Sequence, residues 1–311
     1  MKTKYIIGID LGGTNLKIAL FDALCRLQSK KIIRTGQFLN KDALISGIVE
    51  SVEQLIRQNH LVKSQVIGLG LGLPGPIDAD KGIVHFFPNI PGWKEVHLSA
   101  ILKKRLGIRV VIDNDANLMA LAEYRTGAAV GCKNVVCLTL GTGVGGGLIF
   151  EGKLYRGSTY AAGEIGHMPV NENGPRCNCG GIACLEAYIG NKRIAAEVKR
   201  LFKKDISLEK VSSLARSGNR IAIQVWKNVG KRLGLVLASI VNLLNPDCIV
   251  IGGGVAGAGK VLFDPIRKVV RERAMSVQAK NVKIVKASLG YDSGVIGAAL
   301  FVREQRMARG K

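Results

Sequence analysis

Tyr5-Ile-Ile-Gly-Ile-Asp10-Leu-Gly-Gly-Thr14-Asn-Leu16-Lys-Ile-Ala-Leu-Phe21 opens the chain. Tyr5–Asp10 is a short apolar run of strand-forming residues, which predicts a buried strand. Leu11-Gly12-Gly13-Thr14 supplies a turn, and Leu16–Phe21 predicts the return strand of a hairpin. The same grammar recurs at Val135–Leu140, followed by Gly141-Thr-Gly-Val-Gly-Gly-Gly147 and a return strand at Leu148–Phe150. What repeats is an architecture rather than a string of letters.

The segments around these hairpins alternate between strand and helix. Lys41–Asn59 carries apolar residues at helical spacing (Leu44, Ile45, Ile48, Val49, Val52, Leu55, Ile56) and predicts an amphipathic helix. Val66–Leu71 predicts a buried strand that stops at Pro74-Gly75-Pro76. Leu98–Leu106 reads as a helix, Arg109–Ile112 as a strand and Leu118–Tyr124 as a helix. Farther on, helices are expected over Ala187–Phe202, Ile221–Leu244, Phe263–Met275 and Ser293–Arg303, with strands at Ile249–Ile251 and Val282–Val285. The class is therefore α/β with mixed sheets. A boundary is expected near residues 113–117. With no low-complexity linker, two tightly apposed domains with a cleft between them are expected.

Composition excludes several classes. The 311 residues are enough for about two domains with a sizeable core. Apolar residues make up 47% and charged residues 22%, so the chain is not disordered. The 39 glycines follow no triplet period, which excludes collagen, and aromatics at 5% argue against a base-stacking surface. No export signal or membrane span is legible; the uncharged stretch 134–150 is interrupted by glycines and short for a span. Seven cysteines, three of them within eight residues, favour a metal site in a reducing cytoplasm over a disulfide framework. The formal charge is +22, and residues 187–311 contribute +16 of it. Such a surface binds nucleic acid by counterion release or simply serves solubility; the second reading is favoured, and no nucleic-acid partner is expected.

Five motifs carry the chemistry. Asp10-Leu-Gly-Gly-Thr14 follows a strand directly: its glycines let backbone approach phosphate oxygens, and Asp10 can hold Mg²⁺ through water, although an ordinary hairpin turn reads the same way. Gly141–Gly147 lacks the Lys-Ser/Thr ending of a P-loop, and its G-x-G-x-x-G match precedes a strand rather than a helix. Two such hairpins suggest two loops closing on one nucleotide tail. Gly252-Gly253-Gly254 after Ile249–Ile251 suits a flat approach to adenine or ribose, or a plain strand-to-helix turn. In Asp113-Asn-Asp-Ala-Asn117 either aspartate suits a helix cap, and Asp115 also suits a base for a substrate alcohol. Cys177-Asn-Cys179-Gly-Gly-Ile-Ala-Cys184 with His167 offers three thiolates and an imidazole, the donor set of a closed structural Zn²⁺ site; reduced buried cysteines are the alternative. Cys25, Cys132, Cys137 and Cys248 lie in apolar stretches and read as core, while His60, His85 and His97 have no partner in sequence.

Together these motifs, with Leu73-Pro-Gly75 and Glu164-Ile-Gly-His167 added, resemble the ROK family of sugar kinases and repressors, within the actin, sugar kinase and Hsp70 superfamily. The similarity runs from Asp10 to the final helix. It implies two actin-like (ribonuclease H-like) domains around an interdomain cleft: residues 1–114, with a C-terminal helix at about 293–311 packing back on them, and a larger domain, 115–292, bearing the zinc loop. It implies Asp115 as catalytic base. Gly75, Asn89, Asn114, Glu164, His167 and Glu186 then fall on the sugar site. Asp10, Gly12, Gly13, Thr14, Lys17, Thr142, Gly143, Gly253 and Gly254 fall on the nucleotide site. His167, Cys177, Cys179 and Cys184 are the implied zinc ligands, with one His167 ring nitrogen on sugar and the other on metal. Where the family usually has glycine before the last cysteine, this chain has Ala183.

The activity so implied is transfer of the γ-phosphoryl group of MgATP to the 6-hydroxyl of a hexose, with Asp115 accepting the hydroxyl proton. An aspartate, with a reference pKa of about 3.9, is ionised at neutral pH. Cys-Asn-Cys-Gly and Cys-Leu-Glu resemble the bacterial glucokinases of the family, so glucose leads; N-acetylmannosamine, N-acetylglucosamine and other hexoses are the alternatives. The other class is a sugar-sensing ROK regulator. Those carry an N-terminal winged helix-turn-helix, and a first strand at Tyr5 leaves no room for one here. The family also implies a homodimer or homotetramer.

Overall fold

A computed structural model describes residues 3–87 and 92–309, with the side chains of 308 and 309 left aside. The chain divides into two compact units. The first comprises Met1–Ala122, Arg156–Ala162 and Tyr291–Lys311; the second comprises Glu123–Tyr155 and Gly163–Gly290.

In the first unit, strands β1 (Tyr5–Leu11), β2 (Asn15–Asp22) and β3 (Leu27–Arg34) form a meander, followed by helix α1 (Lys41–Gln58) and strand β4 (Val66–Leu73). Three short strands, β5 (Ile77–Asp78), β6 (Ile83–Phe86) and β7 (Lys94–Val96), make a separate small sheet. Helix α2 (Leu98–Leu106), strand β8 (Val110–Asn114) and helix α3 (Asp115–Thr126) come next. The main sheet has the order β3-β2-β1-β4-β8. β1 pairs antiparallel with β2 and parallel with β4, and β8 is parallel to β4.

The second unit opens with strands β9 (Val135–Leu140), β10 (Val144–Phe150) and β11 (Lys153–Tyr155). Helices α4 (Glu186–Ile189), α5 (Asn191–Phe202), α6 (Leu208–Arg216) and α7 (Arg220–Leu244) follow. Strand β12 (Cys248–Gly252), helices α8 (Lys260–Arg273) and α9 (Ser276–Asn281) and strand β13 (Lys283–Lys286) complete it. Its sheet order is β11-β10-β9-β12-β13, again with an antiparallel meander on one side and two parallel strands on the other. The two sheets thus match strand for strand, which is the duplication expected from the two hairpins.

The alternation of β1 explains how its sheet is covered. Ile7, Ile9 and Leu11 share a core with Leu44, Ile48 and Val52 of α1 and Leu98 and Leu102 of α2. Ile6, on the opposite side, packs with Val295, Ala299 and Val302 of helix α10 (Ser293–Arg309). A sheet covered on both faces needs apolar residues on both, and β1 is apolar throughout up to Asp10. In the second unit α7 is buried along most of its length and packs against α8, whose Leu262 and Ile266 backbone lies close to Gly230. Glu123, fully buried, accepts hydrogen bonds from the backbone of Ala128, Ser288 and Leu289, which satisfies its carboxylate. Among the described residues no helix is long and apolar enough to cross a membrane.

Two expectations need correction. The return strand of the second hairpin begins at Val144 rather than Leu148, so Gly145–Gly147 are strand residues and the turn is only Gly141-Thr142-Gly143. Backbone of the segment after Gly163 lies flat on this strand, and a Cβ at Gly146 would stand 2.3 Å from the Gly163 carbonyl oxygen. The helix expected over Ala187–Phe202 breaks at Gly190, whose backbone is extended, because the Asn191 N–H turns to the Gly141 carbonyl at 2.9 Å. The small sheet and α6 were not foreseen.

Candidate active site

Parallel pairing in the first sheet aligns three motifs at one edge. Asp10 lies opposite Gly72, Gly72 opposite Asp113 and Leu73 opposite Asn114, so the carboxyl ends of β1, β4 and β8 are level. Open α/β sheets bind ligands at that edge. Asp10 is the penultimate residue of β1, with its side chain nearly buried, and Oδ2 accepts from Lys17 Nζ at 2.9 Å. Lys17 donates also to the Tyr291 carbonyl at 2.8 Å. The turn exposes Gly13 and Thr14. Thr35, which no motif announced, fixes that turn: its Oγ1 donates to the Gly12 carbonyl and its N–H to the Thr14 carbonyl, both at 2.9 Å. One carboxylate beside an exposed turn suits Mg²⁺ held mainly by substrate phosphates and water, rather than by a protein cage.

At the β8–α3 junction, Asn114 Oδ1 accepts from the N–H groups of Ala116 (2.9 Å) and Asn117 (3.3 Å), while its Nδ2 donates to the Gly75 carbonyl at 3.1 Å. Gly75 needs its φ of +97°, a left-handed value that favours glycine. Asp115 Oδ1 accepts from the Ala116 N–H at 2.8 Å, and the residue is half-buried. Asp113, read from sequence only as a possible cap, is a buried network centre. Its Oδ1 accepts from the Asn114 N–H (2.7 Å) and Asn117 Nδ2 (3.1 Å), and its Oδ2 accepts from Arg156 Nε at 2.9 Å and Nη2 at 2.5 Å. Arg156 also was not foreseen, since nothing in its sequence neighbourhood marks it. Asn89 lies outside the described residues.

The second unit brings together Glu164, His167, Glu186 and the turn at Thr142-Gly143. Gly166 lies against β10, where a Cβ would come 2.2 Å from the Val144 carbonyl oxygen; this close approach seats the segment that carries Glu164 and His167. Glu186 Oε2 accepts from the Val144 N–H at 2.8 Å, and Oε1 lies 4.0 Å from Cys177 Sγ. His167 Nε2 is 3.7 Å from Glu164 Oε2, and Nδ1 is 3.7 Å from Cys177 Sγ. Gly253 (φ +83°) packs on the end of β9 at Leu140, and β12 runs parallel to β9, so Gly253-Gly254 and Thr142-Gly143 are at one sheet edge.

His167, Cys177, Cys179 and Cys184 place one donor atom each within 4.8 Å of one another. A tetrahedral zinc site with Zn–S bonds of about 2.3 Å has sulfur–sulfur edges of about 3.8 Å. Cys179 and Cys184 sulfurs stand 3.7 Å apart. The donor set and its spacing therefore fit zinc. Burial and the neighbouring Cys179 and Cys177 thiols push the Cys184 thiol up to about 12, whereas a backbone hydrogen bond from Gly181 lowers Cys179. Ala183 adopts the turn with φ +58°, the left-handed conformation a glycine would hold more cheaply. The other four cysteines are unbridged: Cys137 and Cys248 are buried and Cys25 and Cys132 half-buried, as the apolar stretches around them predict. His85 pairs with Glu95 at 2.8 Å, and His60 and His97 are exposed.

Residues 6–305 match the family described as "ROK family". The chain belongs to the ROK family. This ROK protein is 36% identical to the glucokinase of Halalkalibacterium halodurans over 320 residues, covering 98% of this chain and 97% of the relative. It superposes with a TM-score of 0.82 on the crystal structure of a ROK family glucokinase from Streptomyces griseus in complex with glucose and AMPPNP, at 30% identity over 97% of this chain and 100% of that one. A ROK family transcriptional regulator, a homologue of the Escherichia coli MLC protein, gives a TM-score of 0.89 at 26% identity, covering 96% of this ROK protein and 78% of the regulator. The fold alone thus serves both classes, and the residues of the site decide between them.

Proposed function

We propose that this ROK protein is an ATP-dependent sugar kinase that transfers the γ-phosphoryl group of MgATP to the 6-hydroxyl of glucose. The observation that carries the reading is the Asp115 carboxylate at the carboxyl edge of the first sheet, level with the Asp10-Leu-Gly-Gly-Thr14 turn. Likeness to glucokinases over the full span of the relatives supports the sugar.

Asp115 accepts the proton of the sugar hydroxyl as its oxygen attacks phosphorus. Asn114 and Gly75, joined by their hydrogen bond, hold sugar hydroxyls, as do Glu164, His167 and Glu186 in the second unit. Asn89 belongs to the same set by family likeness. Backbone of Gly12, Gly13, Thr14, Thr142 and Gly143 holds phosphate oxygens; Lys17 adds positive charge, and Gly253 and Gly254 receive the adenosine. Asp10 would hold Mg²⁺, largely through water, and the ion would supply positive charge to the phosphates. His167, Cys177, Cys179 and Cys184 would hold zinc in a structural role; His167 would bind it through Nδ1, the ring nitrogen facing Cys177, which would leave Nε2 for the sugar. Reduced thiols at such a site suit the cytoplasm. By family likeness the protein works as a homodimer or homotetramer.

The test is steady-state kinetics over glucose, mannose, N-acetylmannosamine, N-acetylglucosamine and fructose. ADP is expected to form only when sugar is present, fastest with glucose. Asp115→Ala is expected to lower kcat by at least roughly 100-fold, since a positioned general base contributes about that much or more. Undiminished turnover in that variant removes Asp115 as base; a protein that makes no ADP with any hexose but binds duplex DNA in response to sugar is a regulator instead.

A further inference from the structure

Arg156 takes no direct part in the proposed phosphoryl transfer. It stands immediately after β11, and Arg156–Ala162 belongs to the first unit although its chain neighbours on both sides belong to the second. Its guanidinium grips a single oxygen of Asp113 with two N–H groups. The Asp113 side chain is 1% exposed and that of Arg156 19%, so the pair is largely removed from water and each charge is balanced by the other. The Arg156 guanidinium carbon lies 5.3 Å from the ring centre of Phe301 on α10, which fixes the plane of the fork.

We propose that Arg156 is a positioning residue for the phosphoryl-transfer reaction, holding Asp115 and Asn114 in register through Asp113. This rests on the reading of Asp115 as base. The connection is a chain of hydrogen bonds. Arg156 occupies Oδ2 of Asp113, which leaves Oδ1 to receive the Asn114 N–H and Asn117 Nδ2. Asn114 in turn binds the N–H groups of Ala116 and Asn117 and the Gly75 carbonyl. The five residues of Asp113-Asn-Asp-Ala-Asn117 are thereby tied to each other and to the loop at Gly75, and Asp115 sits at their centre. A lysine cannot reproduce the two-pronged grip, because its ammonium is a point donor. Without any cation, a buried carboxylate next to Asp115 loses its counter-charge and the junction must rearrange to hydrate or protonate it.

The experiment compares Arg156→Ala, Arg156→Lys, Asp113→Asn/Arg156→Ala and Asp115→Ala in the full-length, metal-loaded enzyme, with glucose and MgATP. Rates are given per folded molecule, the folded fraction coming from circular dichroism. A misplacement of about 1 Å at a reacting group costs on the order of 100-fold, so Arg156→Ala is expected to lose roughly 10- to 100-fold in kcat. Glucose KM should rise by less than kcat falls, and MgATP KM should stay within about twofold of the parent, because the nucleotide residues are outside this network. Arg156→Lys, which keeps the charge and folds if Arg156→Ala does not, should lie between the parent and alanine. The double variant removes the orphaned charge while an asparagine oxygen still receives Asn114 and Asn117. It should therefore recover kcat at least about fivefold over Arg156→Ala. A purely structural role lowers the thermal midpoint but leaves kcat per folded molecule unchanged in all three Arg156 variants, and that result overturns the proposal. So does a double variant no better than Arg156→Ala. If Asp115→Ala keeps full turnover, the base reading fails and takes this inference with it; if Asp115→Ala is inactive while the Arg156 variants are unimpaired, only this inference fails.

Discussion

Glu186 shows how one side chain can serve two neighbours. Its carboxylate receives the Val144 N–H with one oxygen, and its other oxygen faces Cys177. A Cβ at Gly143 would stand 2.5 Å from that first oxygen. The clash is with the end of a flexible side chain, so the fold tolerates it and Glu186 gives way. Gly143→Ala is therefore expected to raise glucose KM by roughly tenfold, the equivalent of one lost charged hydrogen bond, while the thermal midpoint moves by less than about 3 °C. Kinetics and calorimetry on the same preparation check both; a change confined to the KM for MgATP assigns Gly143 to nucleotide alone and releases Glu186 from the sugar site. Asp115, Glu186 and the cysteines stand in recognisable motifs and were legible. Arg156 and Thr35 were not, because each acts on residues far away in sequence and neither sits in a pattern.

The segment from Glu164 to Leu185 has little regular structure. It holds one short 3-10 turn and two isolated bridges, Pro169 to Cys184 and Arg176 to Ile182. So long a stretch seldom holds a defined shape on backbone pairing alone, and a metal cross-link through His167, Cys177, Cys179 and Cys184 would supply what the sheet does not. Purified protein is expected to carry about one zinc per chain by elemental analysis. Removing it with a strong chelator should lower the thermal midpoint and raise glucose KM, with MgATP KM little changed; readdition should reverse both. Protein that is as stable and active without zinc as with it refutes this. The hairpins and long helices were legible because their periodicities are local. The small sheet of β5, β6 and β7 was not, since strands of two to four residues are too short to show a period. α6 was missed for a similar reason, although Ser207 caps it by accepting the Lys210 N–H.

The last helix, α10, completes the first unit about 180 residues after β8, the last of that unit's strands. It lies close to the sheet because β1 and β4 present glycine there. A Cβ at Gly8 would stand 2.3 Å from the Val295 carbonyl oxygen, and one at Gly70 2.1 Å from that of Ala298. Backbone cannot swing aside as a side chain does. Gly70→Ala is therefore expected to destabilise the protein by about 1–3 kcal/mol, lowering the thermal midpoint by roughly 3–10 °C in calorimetry. A midpoint within about 1 °C of the parent contradicts this packing. In the sequence, Gly68-Leu-Gly70-Leu-Gly72 already shows glycine on one face of a strand and leucine on the other. That alternation says something must press flat on the glycine face, but not what. The chain by itself determined the features whose causes lie within a few residues: the two strand–turn–strand openings, the amphipathic helices, the cysteine spacing and the aspartate beside Asn114. Only the tertiary structure decided that β1, β4 and β8 end level, that α10 fills the glycine face, that a helix breaks at Gly190 so that Asn191 reaches Gly141, and that Arg156 grips Asp113. Each of those depends on which distant surfaces are complementary in shape and charge, and no local period records that.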